Sequence, residues 1–379
     1  MDTRVWREAL VAKDMGYKVS VISPKHKIYP KPHEVIEGIE IYRHPVTKNM
    51  SGGLGFMVEY LNALFWESIF CLKAFLNKPF TVIHSANPPD HIFLLALVFR
   101  PFKVKFVFDH HDLSPELYLC KFGQKKNIVY RSLHLMERLS CKLADAIVTT
   151  NNSYKQFVVS RHRIDPEKIF IVRNDPIIEE ISPTDPPKRM GDKIGIKLLY
   201  LGSINVQDGV DELVRIVYIL VKELHQEQVC CTVVGDGDGL ELAKQMSNEL
   251  GINDYMKFTG FIYDRKIVRD YIADADICID PAPNNGANRR STFIKIMEYM
   301  TAKKPVVAYN MEENRFTIGD SGVLVPPGDR HAFANAIARL IADPAEQKRL
   351  GEAGHDRIVR KFNWPNAAKV LVEAYNSIG

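Results

Sequence analysis

Two kinds of stretch alternate along the chain. Short runs rich in Val, Ile and aromatic residues are separated by longer ones whose apolar residues return every three or four positions, the pattern of a parallel sheet covered by helices. In the first half, strands are expected at 18–23, 40–43, 81–84, 103–108, 146–149 and 169–172, with helices at 3–15, 56–76, 126–143 and 154–161. Pro176, Pro183, Pro186, Pro187 and Gly191 then break any regular pattern, because proline fixes φ and removes a backbone donor. The alternation restarts with strands at 197–201, 230–234, 257–259, 277–280, 305–308 and 322–325. Helices between them are expected at 210–224, 240–250, 265–273, 292–301 and 331–342, with two more near the end. This predicts an α/β protein of two Rossmann-like, doubly wound domains, 1–175 and 195–362, joined by a linker at 176–194. Such a pair is expected to place a cleft between the carboxyl ends of its sheets. The chain opens directly in a helix, with no strand and no glycine-rich turn before it. The expectation is that the first domain lacks its first strand and that the natural start lies outside this sequence.

Composition narrows the class. With 46% hydrophobic and 25% charged residues over 379 positions, a disordered, collagen-like or coiled-coil chain is excluded. The longest apolar run, 91–99, stops at Arg100-Pro101, well short of the roughly 20 residues that span a bilayer. Six scattered cysteines without a C-x-x-C pair read as reduced thiols of a cytoplasmic protein. The net charge of +4 conceals an asymmetry: residues 1–175 hold 25 Lys and Arg against 17 Asp and Glu, and the remainder holds 25 against 29. A basic first half suits an anionic membrane surface, a phosphorylated ligand or nucleic acid, or is a solvated face. The 56–76 helix carries Phe56, Leu61, Leu64, Phe65, Trp66, Ile69, Leu72 and Phe75. Most of these read as a core-facing stripe; an apolar face on lipid, helped by basic neighbours, is the other reading.

The densest polar constellation runs from Asn284 through Arg290, Ser291 and Thr292 into a helix bearing Lys295 and Glu298, just after a strand end at Asp280. Ser291 is expected to cap that helix, with Ser291, Lys295 and Glu298 on one face at i, i+4 and i+7. Free N–H groups, Lys295 and Arg290 would then hold a diphosphate, while Glu298 accepts from ribose hydroxyls. The alternative is a plain intrahelical pair between Lys295 and Glu298. Gly235-Asp236-Gly237 and Gly202-Ser203 with Gln207-Asp208-Gly209 follow two other strands of the same half and form glycine-bearing loops on the same edge. In the first half, Asp109-His110-His111-Asp112 follows a buried-type strand. Adjacent positions project differently, so no metal is expected; His111 acting on a substrate hydroxyl, supported by Asp112 or Glu116, is the catalytic candidate. A structural loop histidine is the competing account.

With these motifs in place, the chain resembles a family 4 glycosyltransferase of the GT-B type. Arg4-Val5-Trp6-Arg7-Glu8-Ala9, Asn87-Pro88-Pro89, the 109–116 segment, Gln207-Asp208-Gly209-Val210, Val234-Gly235-Asp236-Gly237, Phe258-Thr259-Gly260, 295–300 and Phe362-Asn363-Trp364 carry the resemblance in order and spacing. The nearest branch resembles bacterial surface-polysaccharide enzymes similar to N-acetyl-L-fucosamine transferases, as in O-antigen synthesis. The resemblance implies a nucleotide-sugar donor, UDP-linked, on the second domain and a glycan or lipid-linked glycan acceptor on the first. It also implies retention of anomeric configuration, no metal or other cofactor, and a closing helix over 363–379 that crosses back to the first domain. Contact with the inner face of a membrane would be peripheral, and no nucleic acid is expected. Glu298 matches the ribose-binding glutamate, Lys295 meets the diphosphate, the backbone at Phe261 and Ile262 frames the base, and His111 matches a histidine near the reacting sugar. Two positions depart from the family. Arg290 stands where many relatives have a second glutamate, and Gln207-Asp208 where many have Arg and Lys. A UDP-sugar 2-epimerase and an inactive donor-binding or accessory subunit are the other readings.

Overall fold

The computed structural model describes residues 2–26, 28–46, 52–123, 125–181 and 195–379. It divides into two compact units: residues up to Arg173 together with Ala367–Gly379, and Asn174–Asn366.

The first unit opens with α1 (Thr3–Asp14), whose N-cap Asp2 accepts from the amides of Arg4 and Val5. Strands β1 (Ser20–Pro24), β2 (His33–Ile36) and β3 (Ile39–His44) form one sheet in the order β1-β3-β2. β1 runs parallel to β3, and β2 is antiparallel. Helix α2 (Gly52–Asn77) leads to β4 (Val82–Ala86), α3 (Phe93–Phe99), β5 (Lys105–His110), α4 (Ser114–Phe122) and α5 (Ile128–Leu143). After them come β6 (Ala146–Thr149), α6 (Asn152–His162) and β7 (Ile169–Ile171). β4-β5-β6-β7 make a second, wholly parallel sheet, and among the described residues no ladder joins it to the first. β5 and β6 read as continuous apolar runs because both faces of a parallel sheet are covered. Phe106, Phe108 and Ile147 pack on α3 and α5 through Ala96 and Cys141.

The second unit contains α7 (Ile178–Ile181) and six parallel strands: β8 (Ile196–Leu201), β9 (Val229–Val234), β10 (Met256–Gly260), β11 (Ile277–Asp280), β12 (Val306–Tyr309) and β13 (Val323–Val325). Their order is β10-β9-β8-β11-β12-β13. Alternate strand residues feed two cores: Leu198, Tyr200, Cys231 and Ile279 on one face, Leu199, Val234, Cys278 and Val306 on the other. The helices are α8 (Val210–Tyr218), α9 (Leu240–Glu249), α10 (Arg265–Asp274), α11 (Ile294–Thr301), α12 (Glu312–Ile318), α13 (Arg330–Ala342), α14 (Pro344–Lys361) and α15 (Trp364–Asn376). From Ala367 onward α15 belongs to the first unit.

Two expectations need correction, and one further segment gains an element. Helix α11 begins at Ile294 with Phe293 as an N-cap that makes no side-chain bond. Ser291 instead closes a single 3-10 turn over Asn288–Arg290, and its hydroxyl donates to the Ala287 carbonyl at 3.1 Å. Segment 114–122, for which no element was expected, is helix α4; Pro115 at its first turn loses no bond there, since that N–H has no intrahelical partner in any case. The 56–76 stripe is divided: Leu64 and Cys71 pack inward, whereas Leu61, Phe65, Ile69 and Leu72 are exposed. Phe56 has no described side chain.

Candidate functional site

In each unit a buried aspartate ends a parallel strand and holds a cation. In the first unit it is Asp109, the penultimate residue of β5, fully buried. Both its oxygens accept from Arg4, Oδ2 from Nε at 2.7 Å and Oδ1 from Nη2 at 2.8 Å; a further Arg4 nitrogen donates to the Val172 carbonyl at 2.8 Å. His111 lies two positions on, so it shares Asp109's side of the strand, and its Nδ1 donates to Oδ2 at 3.1 Å. Burial alone would lower the His111 pKa, but the Asp109 charge and hydrogen bond outweigh it and push it up to about 9. Asp109 is held well below the usual carboxylate range: burial opposes this, and Arg4 and His111 overcome it. At neutral pH, His111 is therefore an imidazolium, a hydrogen-bond donor rather than a base.

Around this pair stand Glu8, 3.1 Å from Arg4, and His84, 3.5 Å from Glu8. His84 Nδ1 is 2.9 Å from the Tyr375 hydroxyl on α15. Burial raises Glu8 to about 8 against the pull of Arg4, and burial lowers His84 to about 4. Ligand atoms of Glu8, His84 and Asp109 lie within 4.8 Å of one another, which raises the question of a metal. The set does not fit one: both Asp109 oxygens are engaged by a guanidinium, and a divalent ion there would sit against that fixed positive charge.

The expected supports of His111 are placed otherwise. Asp112 acts on it only through charge; the Asp112 backbone is held by Asn87, whose Oδ1 accepts from the amides of His111 at 2.9 Å and Asp112 at 3.1 Å. Burial raises the Asp112 carboxyl. Glu116 is turned to Arg161, at 2.8 Å, in a separate network. There Glu137 accepts from His110 and His162, each at 2.9 Å, and from Arg161 at 3.2 Å.

In the second unit the strand-end aspartate is Asp280, the last residue of β11 and fully buried. Lys295, on the first turn of α11, donates to its Oδ1 at 3.1 Å. The ammonium also lies 4.1 Å from the centroid of the Tyr200 ring, a cation–π contact. Burial alone would lower the Lys295 pKa, but Asp280 raises it. A Cβ on Gly202 would come within 3.0 Å of the Lys295 Cε and Nζ, so glycine leaves the space the lysine head occupies. Burial raises the Asp208 carboxyl and Lys295 opposes it, so these two groups are also coupled.

The remaining predicted residues lie on the loops and helices that follow β8, β9, β10 and β11. Gly235 has φ +149°, and a Cβ on it would overlap the Gly202 carbonyl oxygen at 1.8 Å; Gly202 and Ile204 donate to the carbonyls of Val234 and Asp236, each at 3.0 Å. The glycines thus let two strand-end loops lock together, backbone against backbone. Asp236 is exposed. The Gln207 carbonyl accepts from Asn285 at 3.1 Å and from Asn288 at 2.8 Å, tying its loop to the 284–288 segment. Arg290 donates to the Gly286 carbonyl at 3.1 Å, and Thr292 Oγ1 lies 3.4 Å from a Glu313 carboxylate oxygen. Glu298 and Lys295 do not pair: Glu298 takes Arg265 from α10. Phe261 follows β10 with 59% exposure, its ring 4.6 Å from that of Tyr263, and Ile262 packs against the core.

Asp109, Arg4, Glu8, His84, Tyr375, Asp280, Tyr200 and Arg265 were not singled out as site residues from the sequence. A period-2 reading of 105–111 would have joined Asp109 to His111. Arg4 and Glu8 are spaced i, i+4 on α1, which marks a shared face but not the strand they reach.

The fold is that of the glycosyltransferases of GT-B type. Residues 2–174 match the family described as Glycosyltransferase Family 4, and residues 195–343 that described as Glycosyl transferases group 1. The two matches take in most of the chain and place it among those glycosyltransferases. It is 22% identical over 366 residues to an uncharacterized glycosyltransferase of Methanocaldococcus jannaschii, covering 95% of this chain and 90% of that one. Among solved structures it resembles sucrose-phosphate synthase from Thermosynechococcus elongatus, with a TM-score of 0.80 at 20% identity, covering 99% and 92%. It also resembles Anabaena HepE in complex with UDP-glucose, with a TM-score of 0.68 at 18% identity, covering 90% and 86%.

Proposed function

We propose that this protein moves a glycosyl unit, a hexose or N-acetylaminosugar, from a UDP-linked donor to a hydroxyl of a glycan or lipid-linked glycan. The bond between the anomeric carbon and the acceptor oxygen forms with retention of configuration. The bond from that carbon to the diphosphate breaks, UDP leaves, and the hydroxyl proton is released. The observation that carries the reading is the Lys295 ammonium held at the carboxyl ends of β8 and β11 by Asp280 and Tyr200. Lys295 donates to one Asp280 oxygen, and an ammonium has three N–H donors, so it can also turn to a phosphate. The first-turn amides of α11, which no side chain caps, add donors for the same anion. Glu298 accepts from the ribose, displacing Arg265, whose head is largely in water. The UDP-glucose bound to HepE supports a donor of this chemistry. His111, as an imidazolium, donates to a hydroxyl of the transferred sugar, and positive groups on the chain take the place of a metal.

Calorimetric titration with UDP tests the reading. Lys295→Ala is expected to weaken binding by about 1.5–3 kcal/mol, the worth of a charge-assisted bond, or roughly ten- to hundredfold in Kd. Equal affinity in the variant and the parent would remove Lys295 from the site.

A further inference from the structure

A second carboxylate draws on the Lys295 ammonium. It belongs to Asp208, in the single 3-10 turn Val206–Asp208 between β8 and α8. That loop is pinned on both sides of the residue. Upstream, a Cβ on Gly202 would come within 3.0 Å of Lys295 Nζ, so the chain leaves β8 against the lysine head. Beside Asp208, the Gln207 carbonyl accepts from Asn285 and Asn288, and a Cβ on Gly209 would lie 2.8 Å from the Pro281 carbonyl oxygen. The loop is therefore fixed along the carboxyl end of β11, where Asp280 and Lys295 meet. Asn205 donates from Nδ2 to Asp208 Oδ2 at 2.9 Å, and among the described residues no cation bonds this carboxylate directly. The Asp208 side chain is half-buried, so part of it meets solvent.

The charges here do not balance. Facing Asp208 are Lys295 from α11, Asp280 from β11 and the Tyr200 phenol from β8. Asp211 and Glu212 follow on the first turn of α8, where Glu212 is taken by Arg330 at 2.8 Å. Lys295 is bonded to Asp280, so one ammonium answers two carboxylates. Burial already pushes the Asp208 carboxyl up, and Lys295 pulls it back. A diphosphate that turns the ammonium toward itself weakens that pull and sets further negative charge beside the carboxylate. Like charges held close in a partly desolvated site repel strongly. Asp280 is sealed in the core and Tyr200 is already neutral, so Asp208 is the group poised to relieve the repulsion.

We propose that Asp208 makes donor binding proton-linked: as the diphosphate engages Lys295, a proton from solvent joins the Asp208 carboxylate. A repelling acceptor thereby becomes a neutral carboxyl that can donate to a phosphate oxygen. The bound form then holds more protons than the free form, so affinity rises as pH falls and levels off once Asp208 is neutral in both. The inference rests on the diphosphate reading above and adds to it a residue that sets when the donor binds.

Calorimetric titration of the parent and of Asp208→Asn with UDP, at several pH values from 5 to 8, tests the assignment. The terminal phosphate of the nucleotide titrates in the same range with both proteins, so the ratio of the two affinities isolates residue 208. At pH 8 the variant is expected to bind roughly tenfold tighter, one factor of ten for each unit by which the ligand raises the Asp208 carboxyl. At pH 5 the gap should close to within about threefold. Repeating the titrations in two buffers of unlike ionisation heat should show the parent taking up more of a proton per UDP than the variant does. Asp208→Ser, which keeps a hydroxyl for Asn205, should reproduce both readings and guards against a folding fault in the asparagine variant. The proposal is overturned if the affinity ratio is the same at pH 5 and pH 8, or if both variants bind UDP more weakly than the parent at pH 8. A parent that binds no UDP at any of these pH values would sink the donor assignment and this one with it. UDP binding with a flat ratio would sink this one alone.

Discussion

Asp109 and Asp280 are the same device built to two different tolerances. Each is a fully buried carboxylate at the end of a parallel strand, and each holds a cation from a helix. Around Asp109 the cations are over-determined. Arg4 is fixed by two bonds to the aspartate and one to a strand-end carbonyl, with His111 as a second partner. Around Asp280 there is one bond from one lysine, and the other oxygen has no partner among the described residues. A planar guanidinium with several fixed bonds sets a geometry; a single ammonium on a flexible stem can exchange one anion for another. The first arrangement suits holding a histidine in one charge state and one orientation, and the second suits receiving a ligand.

The largest effect that would break this comparison is loss of the over-determined carboxylate. Asp109→Asn keeps the shape but leaves Arg4 buried with Glu8 as its nearest acidic partner, at 3.1 Å, in place of a bidentate carboxylate, and breaking a buried pair from one side costs about 3–5 kcal/mol. Chemical denaturation should show that loss. A variant within about 1 kcal/mol of the parent would mean that Arg4 reaches water and that the array is not the anchor argued here.

Next comes the pH dependence of the same cluster. His111 goes from 6.5 when unfolded to about 9 when folded, so its contribution is complete below pH 6.5 and is lost as pH rises through about 9. Glu8 shifts from 4.5 to about 8, so the folded form also binds the extra proton there, and its contribution falls over that window. His84, lowered from 6.5 to about 4, works the other way, but only between those two values. Above pH 6.5 the cluster therefore only loses stability, with His111 accounting for on the order of 3 kcal/mol. Denaturation midpoints measured from pH 6.5 to 9 should fall in the parent and stay flatter in His111→Asn. Parallel curves would contradict an imidazolium at this position.

Much of this architecture was legible from hydrophobic periodicity, and the parts that were not have identifiable causes. Strands such as 146–149 and 277–280 were read at the bounds the structure has, because continuous apolar runs in parallel sheets are short and sharply ended. β2 escaped notice because its four residues, His-Glu-Val-Ile, are an exposed edge with little alternation. The expected face of 291, 295 and 298 failed at Ser291 because serine, a good cap by type, is diverted to the Ala287 carbonyl by the 3-10 turn before it. Arg4 and Asp109 are 105 positions apart, and no local pattern carries a pairing of that span. Exposure on α2 was obscure for a different reason: an apolar stripe reports a face that avoids water without saying what covers it.

The smallest expected effect probes the looser member of the pair. Asp280→Asn removes the only carboxylate bonded to Lys295 among the described residues, yet the ammonium keeps the Tyr200 ring at 4.1 Å. The cost should be about 1–3 kcal/mol, the range for an unmade charged bond, and less than for Asp109→Asn. UDP affinity should be equal to or tighter than that of the parent, because the aspartate competes with phosphate for the same ammonium. A loss of UDP affinity as large as that of Lys295→Ala would show instead that Asp280 must hold the lysine in place for binding. The contrast between a fixed cation in one unit and a transferable one in the other would then be gone.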